Sequence, residues 1–241
     1  MSVYEVANLE TLLSANPYPG RGIVLGQTPD GTRMVVAYFI MGRSPNSRNR
    51  VFERTEDGIR TRAYDPSKVE DPSLIIYNPL RTVDGTLIVT NGDQTDTVRD
   101  ALVAGRSFED ALETREFEPD APNLTPRISG LLLPDGRYQL SILKSADAEG
   151  SACSRFYFNY PPLAGVGHFL HTYNSDGDPL PSFTGEPRRV AIADDVEAFT
   201  QMMWEALDPD NRVALYVRSV SLTGGPECDY LINQNSEETA Q

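Results

Sequence analysis

The feature that most constrains this chain is a turn signal, Asp-Gly, that recurs between short runs of β-forming residues. Residues 22–27 and 33–41 are rich in Val, Ile, Tyr and Phe. Pro29-Asp30-Gly31 between them supplies the residue of positive φ that a tight hairpin needs. The sequence therefore predicts a β-hairpin over residues 22–41.

The same signal returns further along the chain, at Asp57-Gly58, Asp84-Gly85, Asp135-Gly136 and Asp176-Gly177. The first three lie between segments that are typical of strands. The clearest pairs are residues 80–83 with 86–90 and residues 128–133 with 137–143. Antiparallel hairpins are therefore predicted to dominate the fold.

Apolar residues at helical spacing predict a few covering helices. The segments are residues 6–13, residues 95–104 continued by 108–114 after a break at Gly105, and residues 194–206. In the last of these, Met202, Met203 and Trp204 are expected in the core. Residues 212–222 are predicted as the last strand, and residues 233–241 as a disordered tail. We expect one α+β domain over residues 1–232, with mostly antiparallel sheets.

The acidic composition limits the partners. A formal net charge of −14 argues against nucleic acid, because phosphate backbones are held by a surplus of Lys and Arg. No apolar run approaches the roughly 20 residues of a membrane helix. The first residues lack the basic and apolar regions of a secretory signal, so a soluble, cytoplasmic protein is expected. Cys153 and Cys228 have neither the spacing of a zinc site nor that of a disulfide framework.

One basic stretch stands out on this acidic chain: Arg43, Arg48, Arg50, Arg54, Arg60 and Arg62. Such a stretch could attract an anionic substrate. It could equally be the solvated face of an arginine-rich strand. Charge alone leaves both interpretations open.

Two segments carry groups suited to nucleotide binding. Residues 41–50 end a predicted strand with glycine, hydroxyl, amide and guanidinium groups, and Arg offers a planar fork for phosphate oxygens. Residues 90–98 precede a predicted helix, whose N-terminus can bind an anion. There, Asp93 or Thr95 could instead serve as the helix cap.

Two further segments could carry catalytic groups. Residues 74–81 place Tyr77 and an amide before a proline, although Tyr77 could be a half-buried strand residue. Residues 116–128 form a proline-rich loop with two carboxylates, an amide and an arginine. That loop could hold a site, or it could be a connector whose acidic side chains face water.

Taken together, the four segments resemble one family. NSRNR at 46–50, IIYNPLR at 75–81, VTNGDQTDTV at 89–98 and NLTPRISG at 123–130 occur in the same order as in archaeal-type IMP cyclohydrolases. The C-terminal half, with GVGHFLHTY at 165–173, is more similar to longer bacterial relatives. The resemblance implies a four-layer αββα sandwich similar to the N-terminal-nucleophile hydrolases. It does not imply their chemistry, because Ser2 follows Met1 and no nucleophile clearly awaits exposure.

The resemblance also implies a reaction, in which a formylated aminoimidazole carboxamide ribonucleotide closes to inosine monophosphate (IMP) with loss of water. Arg43 would fix or polarise the reacting carbonyl, while Tyr77 and Glu118 would share the proton transfers. Asp120 could take the place of Glu118. Neither a metal nor a redox cofactor is required. The partner would be a purine ribonucleotide, and a homo-oligomer is compatible with this.

Substrate contacts are expected from the same segments and from one histidine. They are Ser44, Asn46, Arg48, Asn49, Arg50, Asn78, Arg81, Asn91, Asp93, Thr95, Asn123, Thr125, Arg127 and His168. His168 and His171 are the only histidines, and on a strand they would point to opposite faces, which disfavours a shared metal ion.

Three other functions stay open. A nucleotide sensor on the same scaffold would keep the arginine-rich loop and lack the proton-transfer groups. An amide hydrolase would use an N-terminal nucleophile, and a pure interaction module would have no affinity for IMP.

Overall fold

The protein, described here by a computed structural model, is built from two antiparallel sheets and five α-helices over residues 4–69 and 75–235. The first sheet has the order β11-β10-β1-β2-β12-β13 and the second the order β3-β4-β5-β6-β7-β8-β9. The strands are β1 Arg21–Gln27, β2 Arg33–Met41, β3 Arg50–Arg54, β4 Gly58–Ala63, β5 Leu80–Val83, β6 Thr86–Thr90, β7 Arg127–Leu132, β8 Tyr138–Ser145, β9 Cys153–Tyr160, β10 Val166–His171, β11 Arg188–Ala191, β12 Arg212–Ser221 and β13 Cys228–Asn233. The helices are α1 Leu9–Ser14, α2 Pro45–Arg48, α3 Gln94–Val103, α4 Phe108–Leu112 and α5 Val196–Ala206.

The predicted hairpins are confirmed. Strands β1 and β2 pair directly, as do β5 with β6 and β7 with β8. At the tightest of these turns Asp84 and Gly85 both have positive φ, 48° and 77°, the conformation that a two-residue hairpin requires. The α+β class with mostly antiparallel sheets is therefore correct.

Three apolar clusters hold these elements together. One lies between the two sheets and joins Ile23 and Tyr38 of the first sheet to Leu140 of the second. A second cluster covers the other face of the first sheet with α1 and α5, and a third covers the second sheet with α3 and α4. Strands β1 and β2 are buried on both faces, which explains why they are continuously apolar in sequence.

The helices also follow the prediction. The break between α3 and α4 falls at Gly105, whose φ is 71°. On α5, Met203 and Trp204 are buried as expected, whereas Met202 is only partly buried and packs against the second cluster. Within residues 4–69 and 75–235, no helix has the length and apolar character needed to span a membrane.

The prediction for the C-terminal part was wrong in two respects. Strand β12 is not the last strand, because β13 pairs with it and forms the edge of the first sheet. Asn233, expected to begin a disordered tail, ends β13 and bonds through its side chain to the backbone of Phe52. Residues 1–3, which include Ser2, residues 70–74 and residues 236–241 of the expected tail lie outside the described residues.

Candidate active site

A buried ion pair lies at the centre of the candidate site. Arg21, the first residue of β1, donates from Nη2 to Oε1 of Glu118 at 2.6 Å, and their side chains are only 12% and 4% exposed. Burial raises the pKa of Glu118, although the charges of Arg21 and Arg127 oppose the shift. Burial lowers the pKa of Arg21, but Glu118 together with Tyr173, Tyr77 and Tyr38 outweighs it, so that pKa lies well above its ordinary value. A carboxylate with a raised pKa is suited to proton transfer.

Two tyrosine hydroxyls meet beside this pair. The hydroxyl oxygens of Tyr38, on β2, and Tyr77, which precedes β5, are 2.8 Å apart and buried. The backbone of Tyr77 is fixed by Thr61, whose Oγ1 accepts a hydrogen bond from the Tyr77 amide. Burial and then Tyr77 raise the pKa of Tyr38 well above its ordinary value, against the charge of Arg21. Because one hydroxyl of the pair donates to the other, one O–H is left for another acceptor.

A second buried guanidinium belongs to Arg50, the first residue of β3. It donates from Nε to the carbonyl of Ser47 at 2.7 Å and from Nη2 to the carbonyl of Met41 at 3.0 Å. Burial lowers the pKa of Arg50, Tyr77 raises it, and Arg21 lowers it further. The electrostatic influence of Tyr77 and Arg21 indicates that Arg50 lies near the tyrosine pair.

Arg43 is in a different setting. Its Nη1 donates to Oδ1 of Asp176 at 2.6 Å and to the carbonyl of Gly177 at 2.8 Å, and its side chain is 35% exposed. Its Cζ lies 5.1 Å from the centroid of the Tyr18 ring, which stacks on Tyr173. Arg43 therefore lies at the solvent-exposed side of the candidate site, to which the rings of Tyr18 and Tyr173 connect it.

The loop before β7 places the other carboxylate. Oγ1 of Thr125 bonds to a carboxylate oxygen of Asp120 and lies 2.5 Å from the hydroxyl of Tyr173. The amide of Thr125 also donates to Asp120. Burial raises the pKa of Tyr173 to about 12, against the charge of Arg21. Asp120 thus organises this loop, while Glu118 is the carboxylate paired with Arg21.

Arg127 extends the charged network towards α3. Its Nη1 donates to Oε1 of Gln94 at 2.7 Å and lies 2.8 Å from Oδ1 of Asp93. Burial lowers the pKa of Arg127, whereas the charges of Glu118 and Asp93 raise it. Asp93 occupies the cap position of α3, but its side chain makes no capping bond. A Cβ on Gly92 would lie 2.5 Å from Nη1 of Arg127, so any larger residue here would push the guanidinium away from its present position.

Several other predicted contacts have structural partners. Asn91 and Thr95 are fully buried. Asn91 bonds to the backbone of Pro126 and Ile128 at the start of β7, and Thr95 donates to the carbonyl of Gly92 just before α3. Asn49 is bonded to Asp65. Ser44 caps α2, which also carries Asn46 and Arg48. Arg81 donates to both Asp57 and Asp96, and Asn78 also bonds to Asp96. Asn123 accepts a hydrogen bond from the amide of Leu180.

His168 is not part of this group. On β10 it bonds to Tyr138 and lines a separate cavity at the other side of the sheet interface. His171 instead donates from Nδ1 to the carbonyl of Tyr173 and packs against Phe169 and Phe183. In the part of the chain that the structure describes, no three His, Cys, Asp or Glu side chains are grouped as a metal site.

Sequence reasoning missed three residues at the centre: Arg21, Tyr38 and Tyr173. Each lies in or next to a strand whose pattern indicated only β-structure. A charged Arg21 beginning an otherwise apolar strand, and a hydroxyl within the apolar run of β2, were the available signals.

Comparison with known proteins places this arrangement in a family. The family model described as "IMP cyclohydrolase-like protein" matches residues 18–224. The chain belongs to this family. All four segments singled out in the sequence lie within the match, and so do Arg21 and Tyr38.

The relatives are archaeal proteins named IMP cyclohydrolase. The one from Methanopyrus kandleri is 31% identical over 182 residues, which cover 69% of this chain and 89% of the relative. The one from Methanococcus maripaludis is 36% identical over 128 residues, covering 50% of this chain and 61% of the relative. For the Halobacterium salinarum protein the identity is 32% over 136 residues, covering 54% and 64%. Two of these three matches therefore span less than two thirds of the relative.

Proposed function

We propose that the protein is an IMP cyclohydrolase, which closes the formylated aminoimidazole carboxamide ribonucleotide to IMP. One observation carries the proposal: in a chain of this family, a buried carboxylate with a raised pKa and a buried tyrosine pair converge on one arginine, Arg21. These are the proton-transfer groups that a ring closure needs and that a nucleotide sensor could dispense with.

The reaction moves two protons and expels one water. The carboxamide nitrogen attacks the formyl carbon and loses a proton, while the formyl oxygen gains one. The hydroxyl on the new tetrahedral carbon then leaves as water, as the former formamido nitrogen gives up its proton and forms the C=N bond. The amide nitrogen is a poor nucleophile, so close placement contributes as much as proton removal.

The residues divide these tasks. Glu118, as a carboxylate held by Arg21, accepts the proton from the attacking nitrogen. The free O–H of the Tyr38–Tyr77 pair donates to the formyl oxygen and later assists its departure as water. Burial favours the protonated form of Glu118 and so makes the carboxyl able to return its proton within the cycle.

For the polarising guanidinium, the geometry favours Arg50 over Arg43. Arg50 is buried and interacts electrostatically with Tyr77, whereas Arg43 is bound to Asp176 at the exposed side. We therefore assign polarisation of the reacting carbonyl to Arg50 and keep Arg43 as a residue that closes over the bound nucleotide. The remaining predicted substrate contacts stay predictions.

The proposal also covers the fold family, the cellular location and the ligand of the protein. The helix pairs on the outer faces of the two sheets support the αββα sandwich expected from the family. We place the enzyme in the cytoplasm, with a purine ribonucleotide as its ligand. Self-association stays a prediction.

Ultraviolet absorbance during conversion of the formylated substrate, without metal or folate, tests this function. The wild type is expected to form IMP, and Tyr77→Phe and Glu118→Gln to lower kcat by about 10²-fold or more. Arg50→Lys is expected to lose more rate than Arg43→Lys, because a lysine cannot both keep the two hydrogen bonds of Arg50 to backbone carbonyls and offer a further N–H to the substrate. Tyr230→Phe, on β13, is the matched control. A wild type that binds IMP but is inert would replace this function with that of a nucleotide sensor.

A further inference from the structure

A separate cavity lies where the edges of the two sheets face each other. Strand β11 is one edge of the first sheet and β9 one edge of the second. The backbone of Ala7 pairs with β11 and extends the wall. The cavity has a volume of about 580 Å³ and is lined by apolar side chains, including Pro161, Pro162 and Leu163, together with His168 and Arg189. None of these residues belongs to the network around Glu118.

His168 presents a hydrogen-bond donor to this cavity. The hydroxyl of Tyr138, which is buried, lies 2.7 Å from Nδ1 of His168 and has no other hydrogen-bond partner in the described part of the chain. The hydroxyl therefore donates to Nδ1. Burial and then the charge of Arg189 lower the pKa of His168 to about 4, so the ring is neutral at pH 7 and its proton is on Nε2.

The imidazole is also held in place by an aromatic ring. The centroids of His168 and Tyr160 are 3.6 Å apart with an angle of 13° between the planes. Burial raises the pKa of Tyr160 to well above its ordinary value, so its hydroxyl stays protonated at neutral pH. The stacked pair forms a rigid wall of the cavity, with one N–H donor at its edge.

Arg189 brings to this cavity a cation with one unsatisfied buried donor. In the pairing of β10 with β11 it lies opposite His168, so both side chains stand on the same face of the sheet. Its Nε is buried, and no hydrogen-bond acceptor meets it within residues 4–69 and 75–235. A buried donor without a partner is unfavourable, and an acceptor from a ligand would remove this cost.

We propose that this cavity is a second ligand site that binds a small organic monoanion with an apolar body. An acid group accepts hydrogen bonds from Arg189 and from Nε2 of His168, and the apolar body packs against Tyr160, Pro161 and Leu163.

The charges around the cavity select among anions. Arg188 also lines it, and so do Glu5 and Glu186, which are both exposed. Their negative charges disfavour a dianion such as inorganic phosphate near Arg189, whereas a carboxylate or sulfonate carries one charge. A ligand without a charge would leave the guanidinium unpaired. The site therefore favours an aromatic carboxylate over both phosphate and a neutral aromatic compound.

Calorimetric titration of the full chain with 2-naphthoate at pH 7.5 tests the proposal. We expect one site, a Kd at least tenfold higher for Arg189→Met, and a smaller increase for His168→Phe, which keeps the ring stack and loses the donor. Arg137→Met, at an exposed turn residue of the same type, is the matched control and should not change the Kd. Far-UV circular dichroism of each variant establishes that it is folded.

Four results would overturn the proposal, and the first three concern binding of the probe alone. The first is that 2-naphthoate does not bind. The second is that the folded Arg189→Met and His168→Phe variants bind it as tightly as the wild type does. The third is that the neutral alcohol 2-naphthylmethanol binds as tightly as the acid. Competition between 2-naphthoate and IMP would also overturn it, because the two ligands would then share a site. Loss of cyclohydrolase activity in Tyr77→Phe bears only on the function proposed above.

Discussion

Replacing Arg21 by Met should show how much of the fold depends on the buried ion pair. The change keeps the length of the side chain and removes the only group bonded to the carboxylate of Glu118 among the described residues. Since the two side chains are 12% and 4% exposed, the loss leaves a buried carboxylate without its hydrogen-bonded partner, and only the charge of Arg127 still favours its ionised form. Breaking such a pair costs about 3–5 kcal/mol of the free energy of unfolding.

A double variant separates this cost from ordinary loss of packing. Arg21→Met combined with Glu118→Leu removes both charges, and an apolar replacement of a buried pair is close to neutral. The free energies should therefore be non-additive, with a coupling of at least about 2 kcal/mol. Urea unfolding followed by the fluorescence of Trp204, the only tryptophan, measures each value at pH 7.5. Arg137→Met, at an exposed pair, should cost less than about 1 kcal/mol.

The cost should also depend on pH. Burial raises the pKa of Glu118 above its ordinary value of 4.5, and loss of the Arg21 charge raises it further. A raised folded-state pKa adds stability that is fully present below pH 4.5 and is lost as the pH rises through the folded-state value. The deficit of Arg21→Met should therefore shrink as the pH is lowered towards 4.5. Additive free energies, or a deficit that grows on acidification, would refute this reasoning.

Two further predictions concern the groups around that pair. Tyr38→Phe removes the hydroxyl partner of Tyr77, and should lower kcat by about 10-fold or more with little change in KM; an unchanged kcat would exclude a role for the hydroxyl pair. Gly92→Ala places a Cβ 2.5 Å from Nη1 of Arg127 and should reduce both thermal stability and kcat/KM. The control is Gly225→Ala, where the nearest atom is 3.3 Å away and neither quantity should fall. Equal effects of the two changes would contradict the argument that the Cβ crowds Arg127.

The strands were predictable wherever a turn residue and an apolar run agreed. Strands β5 and β6 match their predicted ranges because Asp84 and Gly85 fix the turn between them. Strand β13 was missed because it begins at an exposed edge, carries Asp229, and is only partly buried along its length. An edge strand needs less apolar character, so the sequence pattern is weaker there.

The site was predictable in its loops and not in its strands. The motif segments identified Glu118, which is hydrogen-bonded to Arg21, and Tyr77, which is bonded to Tyr38 and influences Arg21 electrostatically. Arg21 and Tyr38 could not be identified from spacing, because a side chain in the interface between two sheets is defined only once both sheets have packed. For the same reason the basic stretch did not predict that Arg50 would be buried and Arg43 exposed.

A crystal structure with IMP bound is the most direct test of the central claim, that the groups around Arg21 form the catalytic site. The account predicts the six-membered ring of the purine within hydrogen-bond distance of both the Tyr38–Tyr77 hydroxyl pair and Glu118, with the guanidinium of Arg50 beside it. IMP bound instead in the cavity of His168 and Arg189, with no contact to Tyr77 or Glu118, would contradict it.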